Sequence, residues 1–363
     1  MISPDPDGAG TLKRRALKAT YNASGMLTDV ELGTVNGATD ADWSAFTSLQ
    51  KSTATYVNGR KTKEVLTASG ETFGVTQYSY DAVGRMQCNA VRMDSAQWSS
   101  QSNACLPQAT GANGPDRITK TTYDDAGRPT KVQSAYGTTI QADEATVTYT
   151  DNGQILTLTD AENNKTTYTY DGFDRLRMIE YPNIVKGSGT SNSSDYELLT
   201  YGDNVHVTQR QLRGVSSDTL NYSHDNLGRV TGVSGSTITD RTYNYNLLGM
   251  QTAATYSSGG QSVSNAYDAL GRVTSQVTPQ GTVGYQYDAA SRRTRITWPD
   301  SLYVVYDYDT VGNVTKIREN GATSGIGVLA SYSYDDLGHR IGVTYGNGTS
   351  RAYAYDAVSR LTG

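Results

Sequence analysis

Phe, Trp and Met are scarce in these 363 residues, at 3, 3 and 6. A thick apolar core has little to draw on, because aromatic side chains normally dominate core burial. Cysteine is limited to Cys88 and Cys105. Two thiols exclude a disulfide-dense framework, and with no further ligands at suitable spacing they exclude a zinc site. No stretch approaches the roughly 18 consecutive apolar residues of a membrane-spanning helix. The start, MISPDPDGAG, lacks the apolar centre of a signal peptide. Basic runs are missing too. Lys and Arg number 31 against 36 Asp and Glu, for a net charge of −5. The longest basic cluster, Lys13-Arg14-Arg15, reads as a solvated terminus, so no nucleic-acid partner is expected. Proline is low, at 8.

Tyrosine and glycine are plentiful, at 27 and 37 residues. Tyr suits a strand that is apolar along its body and wet at its tip. Most of it belongs to one repeated frame, Tyr-x-Tyr-Asp-x-x-Gly-Arg-Val-Thr. Clear copies include YSYDAVGRM (78–86), YSHDNLGRVT (222–231), NAYDALGRVT (265–274) and YDYDTVGNVT (306–315). Twelve copies align on Tyr21, Tyr80, Tyr123, Tyr149, Tyr170, His224, Tyr245, Tyr267, Tyr287, Tyr308, Tyr334 and Tyr355. A contracted copy is read at YVNGRK (56–61) and a degenerate one around Tyr201. Asp or Asn follows the anchor in 11 of 12 copies, and Gly stands four past it in 9. Arg stands five past it in 7, and Tyr two before it in 8. The frame absorbs 19 of the 27 tyrosines, so their excess needs no binding site to explain it.

Asp-x-x-Gly is what a type I turn followed by a left-handed glycine requires, the common three-residue hairpin loop. The turn positions are Asp81 and Gly84, Asp124 and Gly127, Asp225 and Gly228, Asp268 and Gly271, Asp309 and Gly312, and Asp335 and Gly338. Asp bonds its own backbone and Gly takes positive φ without a clash. In this register Asp and Arg close the hairpin, and the anchor Tyr faces the residue six past it. From residue 220 the anchors fall about 21 residues apart, room for two strands, a turn and a return loop. The expected fold is all-β: tandem antiparallel β-hairpins in a long curved sheet. Some 24 strands at ~4.8 Å would run on the order of 115 Å, and open twisted sheets rarely pass about ten strands without curling. The sheet is therefore expected to wrap into part of a hollow shell or spiral.

The array is read as one domain over 1–363. Degenerate repeats with a short helix fill 15–77, the helix placed at 39–50 (TDADWSAFTSLQ). A cysteine-containing insertion covers 87–117, repeats follow at 121–181, an irregular excursion at 182–219 and regular repeats at 220–363. Cys88 and Cys105 are a candidate disulfide stapling the insertion, with two unpaired thiols as the alternative.

No nucleophile elbow, zinc-helix motif, Walker loop or C-x-x-C is present. The aspartates recur at one turn position, so they serve the turn that every unit needs rather than a catalytic pair. His224 stands in for an anchor Tyr and His339 for a repeat Arg, while His206 lies in the excursion without an identifiable partner. No catalytic, metal or cofactor residue is assigned. The tyrosine-rich face is also open to a second reading, as a carbohydrate-binding or cell-surface adhesion module that stacks glycans.

The frame in YDALGRVT (267–274) and its sister copies resembles the YD-repeat (RHS) family over roughly 15–363. The resemblance implies a large hollow shell of spiralling β-sheet, similar to those of bacterial RHS and insecticidal toxin-complex proteins and of teneurins. It implies a structural, non-catalytic role, secreted or at a cell surface. The partners would be the remaining repeats and C-terminal segment of a parent protein, with an encapsulated toxin cargo. Bacterial members carry an Asp-Pro motif with self-cleaving aspartates near their end; here the only Asp-Pro is Asp5-Pro6. No protease or toxin residues are carried over, and a chain ending within a repeat at Leu361-Thr362-Gly363 is expected to be a piece of a longer protein.

Overall fold

The computed structural model describes every residue except 9, 101, 204 and 215–217. Among the described residues there are 27 β-strands and three short 3-10 helices, and no α-helix. Strands that follow one another in sequence pair antiparallel, as in Thr219–His224 with Val230–Gly235 and Tyr303–Tyr308 with Val314–Glu319. The chain forms two compact units: residues 1–77 together with 266–363, and residues 78–265.

In both units the register follows from the turn. The anchor pairs with the residue six past it, as at His224 with Val230, Tyr245 with Gln251 and Tyr308 with Val314. The next pair jumps by two on the return strand, so the seventh residue past the anchor is left in a bulge. That residue is the recurrent Thr. Its hydroxyl donates back to the carbonyl before the anchor at Thr28 (3.2 Å), Thr130 (3.2 Å) and Thr208 (3.3 Å). The bulge then sets the Tyr two before the anchor opposite an aliphatic residue nine past it. Tyr168 faces Ile179, Tyr222 faces Val233 and Tyr306 faces Ile317.

Few side chains are buried. The fully buried apolar residues are mostly Ala and Val, and the chain exposes 20812 Å². A compact globular protein of this mass would expose roughly 14,000 Å². Each sheet therefore keeps both faces in partial contact with solvent, as the shortage of Phe, Trp and Met requires.

Within the first unit, residues 1–77 form five consecutive strands, beginning Arg14–Tyr21 and Leu27–Val35. Two of their connections are two-residue Asn-Gly and Ser-Gly turns with positive φ throughout, Asn58-Gly59 and Ser69-Gly70. YVNGRK is therefore a tight primed turn, not a contracted copy of the repeat. The expected helix at 39–50 is a 3-10 segment confined to Asp40–Ala45 and capped by Thr39, whose N–H and hydroxyl both donate to Asp42. Strand Thr47–Val57 claims the rest, because it has Leu27–Val35 to pair with. Residues 1–77 pack against the last repeats across more than 300 positions of sequence. The N–H of Lys13 donates to Asp336 (2.9 Å), Gln50 bonds Ser359, and Thr310 bonds the carbonyl of Asp5.

In the second unit, the excursion expected at 182–219 contains two strands among its described residues. Ser191–Tyr201 pairs with Leu176–Pro182, and Val207–Gln211 pairs on both sides. The degenerate frame at Tyr201 keeps the backbone bond that closes every repeat, Gly202 N–H to the carbonyl of His206 at 3.1 Å. Strands Met86–Arg92 and Arg117–Tyr123 likewise take up both ends of the insertion expected at 87–117, leaving 93–116 irregular.

Candidate functional site: the clasp between successive repeats

Seven of the repeat turns build the same Asp–Arg cluster, and the copy at 268–292 serves as the type. The backbone closes a three-residue loop: Asp268 N–H donates to the carbonyl of Arg272 and Gly271 N–H to that of Asp268, both at 3.0 Å. One carboxylate oxygen of Asp268 accepts the N–H groups of Leu270 (2.9 Å) and Arg272 (3.0 Å), the other the Nε of Arg272 (2.7 Å). Asp81, Asp124 and Asp225 hold Arg85, Arg128 and Arg229 in the same way, at 2.7 Å. Where Arg is replaced, the carboxylate still finds a donor: Asn313 to Asp309 at 2.9 Å and His339 with Asp335 at 2.8 Å. Gly84, Gly127, Gly228, Gly271, Gly312 and Gly338 all carry φ between 77° and 103°, the left-handed geometry the loop demands.

The arginine, fixed by its own aspartate, projects into the next repeat. Arg272 lies over the ring of Tyr287, 4.8 Å from its centroid, and its Nη1 donates to the carbonyl of Asp288 at 3.0 Å. Tyr287 answers with its hydroxyl, which donates to the carbonyl of Val273 at 2.9 Å. Arg85 on Tyr123, Arg128 on Tyr149, Arg175 on Tyr201, Arg229 on Tyr245 and Arg292 on Tyr308 repeat the stack at 4.3–4.7 Å. The hydroxyl bond recurs at Tyr123, Tyr149, Tyr170, Tyr201, Tyr245, Tyr308, Tyr334 and Tyr355. The junctions at Tyr123, Tyr149, Tyr201, Tyr245, Tyr287 and Tyr308 are thus clasped twice, by a cation on an aromatic face and by a phenol on a carbonyl, while those at Tyr170 and Tyr334 keep the phenol bond. Sequence reasoning paired Asp with Arg inside a turn and missed this second partner; the signal lay in the regular repeats, where the next anchor Tyr follows Arg229, Arg272 and Arg292 by 15 or 16 residues.

The electrostatics agree with the geometry. The carboxyls of Asp171 and Asp225 are held below the usual carboxylate range, first by the side chains of Arg175 and Arg229. Those of Asp124, Asp268, Asp288 and Asp356 are lowered first by the N–H of the turn arginine. Desolvation pushes the phenols of Tyr170, Tyr201, Tyr308 and Tyr334 upward, as expected for rings lying against a neighbouring repeat.

The irregular segment 93–116 is organised differently. Cys88 and Cys105 form a disulfide with their Cα atoms 5.3 Å apart. Beside it Cys88, Ala90, Ala104 and Ile118 make a small buried cluster. Arg92 and Asp116 pair at 2.6 Å with both side chains fully buried. Arg92 also donates to the carbonyls of Leu106 and Asn103 and to Ser102, while Asp116 accepts the N–H groups of Met93 and Gln108. A buried ion pair persists only with its remaining donors and acceptors satisfied. Here the loop backbone satisfies them.

The three histidines sit on the repeat frame. His339 takes the Arg position and stacks on Tyr355, with centroids 4.7 Å apart. His206, expected to lack a partner, also takes the Arg position and stacks on His224, the next anchor, at 5.1 Å. Among the described residues no three His, Cys, Asp or Glu side chains group as a metal site, and no helix is long and apolar enough to cross a membrane.

Fold and clasp together define a protein of tandem, cross-linked β-hairpins. Residues 149–183 and 267–301 match the family described as RHS Repeat, and in these repeats the chain resembles the RHS, or YD-repeat, family. Among solved structures, 96% of the chain superposes on part of the crystal structure of TcdB2-TccC3, with 17% identity and a TM-score of 0.55. The same values hold for the Tc holotoxin pore of Photorhabdus luminescens carrying the TccC3 mutation D651A. The chain spans 22% and 21% of those two chains. At this identity the likeness is one of fold. No curated protein sequence matches.

Proposed function

We propose that this chain is a wall segment of an RHS shell that encloses a polypeptide cargo such as a C-terminal toxin, and that it works within a longer, secreted bacterial protein. The observation that carries the reading is the clasp. The repeated Asp, Arg and Tyr side chains, the most chemically capable groups in the molecule, are turned on one another and on neighbouring backbone. That arrangement suits a wall rather than an active centre, and we assign no catalytic residue. The rings of Tyr123, Tyr149, Tyr201, Tyr245, Tyr287 and Tyr308 lie under guanidinium groups instead of open to a sugar, so the glycan-binding reading gains no support from them. A disulfide between Cys88 and Cys105 suits an oxidising destination.

The test is limited proteolysis of a longer polypeptide that carries these residues and the segment after them. Encapsulation predicts that the downstream segment resists the protease only while residues 1–363 are present and intact. Equal cleavage with and without them would overturn the proposal.

A further inference from the structure

One junction of the second unit departs from the clasp on both sides at once. At Tyr201 the Arg position holds His206, and the next anchor is His224 instead of Tyr. The two imidazoles stack at 5.1 Å between centroids with their planes 21° apart. The aspartate that fixes the Arg in other turns is replaced by Gly202, so His206 has no turn carboxylate behind it. His339, the other histidine at an Arg position, keeps Asp335 at 2.8 Å and stacks on a tyrosine. The His206 ring also fills the space beside Gly228, where a Cβ would collide with it. It therefore occupies the seat of the missing arginine.

We propose that the His206–His224 junction is an acid-sensitive seam in a wall whose other junctions lack a stacked pair of imidazoles. Arg–Tyr junctions carry the same charge throughout the physiological range, whereas imidazoles gain a proton between about pH 8 and pH 5. Two protonated rings in contact repel, and no carboxylate of the turn is placed to offset them. Asp225, in the turn that follows His224, is bound to Arg229, which in turn lies over Tyr245. On the flanking strands Glu197 pairs with Arg210, and Asp195 with Arg213. Asp203, in the His206 loop, is exposed. Protection of the seam is expected to be lost as the repulsion between the stacked rings grows in acid.

Hydrogen–deuterium exchange of the whole chain at about pH 7.5 and pH 5.0, corrected for intrinsic rates, reads the seam directly. The expected result is exchange in residues 191–224 accelerated at least about tenfold more than in residues 281–308, where Arg292 clasps Tyr308. His206→Gln, neutral at both pH values, is expected to remove the difference, as is the paired change His206→Arg with His224→Tyr. Equal acceleration at the two junctions would overturn the proposal. So would an acid effect that survives His206→Gln.

Discussion

At the scale of single residues, the turn asks for one left-handed position, and three repeats fill it without glycine. Asp174 has φ 60°, Ser291 φ 63° and Ser359 φ 66°. An L-residue there costs roughly 1–2 kcal/mol. Ser291→Gly is expected to stabilise the protein by up to about 1 kcal/mol in urea unfolding, the greater chain entropy of glycine offsetting part of the relief. The reverse change is cleanest at Gly338, which has φ 82° and nothing within 4 Å of a built Cβ. Gly338→Ala is expected to destabilise by about 1–2 kcal/mol from backbone strain alone; an unchanged midpoint would remove the left-handed requirement from the account.

At the scale of elements, the hairpin and its register were legible because the turn chemistry sits at fixed offsets from Tyr. The bulge was not, since a Thr seven past the anchor looks like ordinary alternation until the register slips around it. The arginine's partner was equally hidden, for it belongs to another repeat. Strand Ser191–Tyr201 was obscured by its Ser and Asn, residues that favour loops in isolation but were overridden here by paired neighbours. The segment 93–116 rests on two cross-links, and they are expected to respond differently. Removing the disulfide by Cys88→Ser with Cys105→Ser is expected to cost about 3 kcal/mol, the usual value for a loop of this length. Arg92→Met strands a buried carboxylate and is expected to cost about 3–5 kcal/mol, whereas Arg92→Met with Asp116→Leu recovers most of the loss. Thermal unfolding of the three variants distinguishes these outcomes.

At the scale of the molecule, stability is carried by many equal junctions more than by a core. Carboxyls at Asp81, Asp124, Asp171, Asp225, Asp268, Asp288 and Asp356 all have folded-state pKa values below the ordinary one. At Asp81 desolvation is the largest single influence and opposes the shift, but the bonds from Arg85 and Gly84 prevail. The unfolded chain takes up these protons first, so their stabilisation is whole above the ordinary carboxylate pKa of about 4 and declines as pH falls through the lower folded values. Acid titration is expected to show a broad loss below about pH 4 shared by the repeats that carry these aspartates, distinct from any local change at the histidine junction.

The central claim is that each arginine binds the next repeat's tyrosine, and a double-mutant cycle tests it most directly. Arg272→Met and Tyr287→Phe, alone and together, would be compared by urea unfolding. The account predicts coupling of about 0.5–1.5 kcal/mol, because the guanidinium over the ring and the phenol on the Val273 carbonyl hold one junction together. Strict additivity would contradict it, and would leave the recurrence of Arg and Tyr without a common cause.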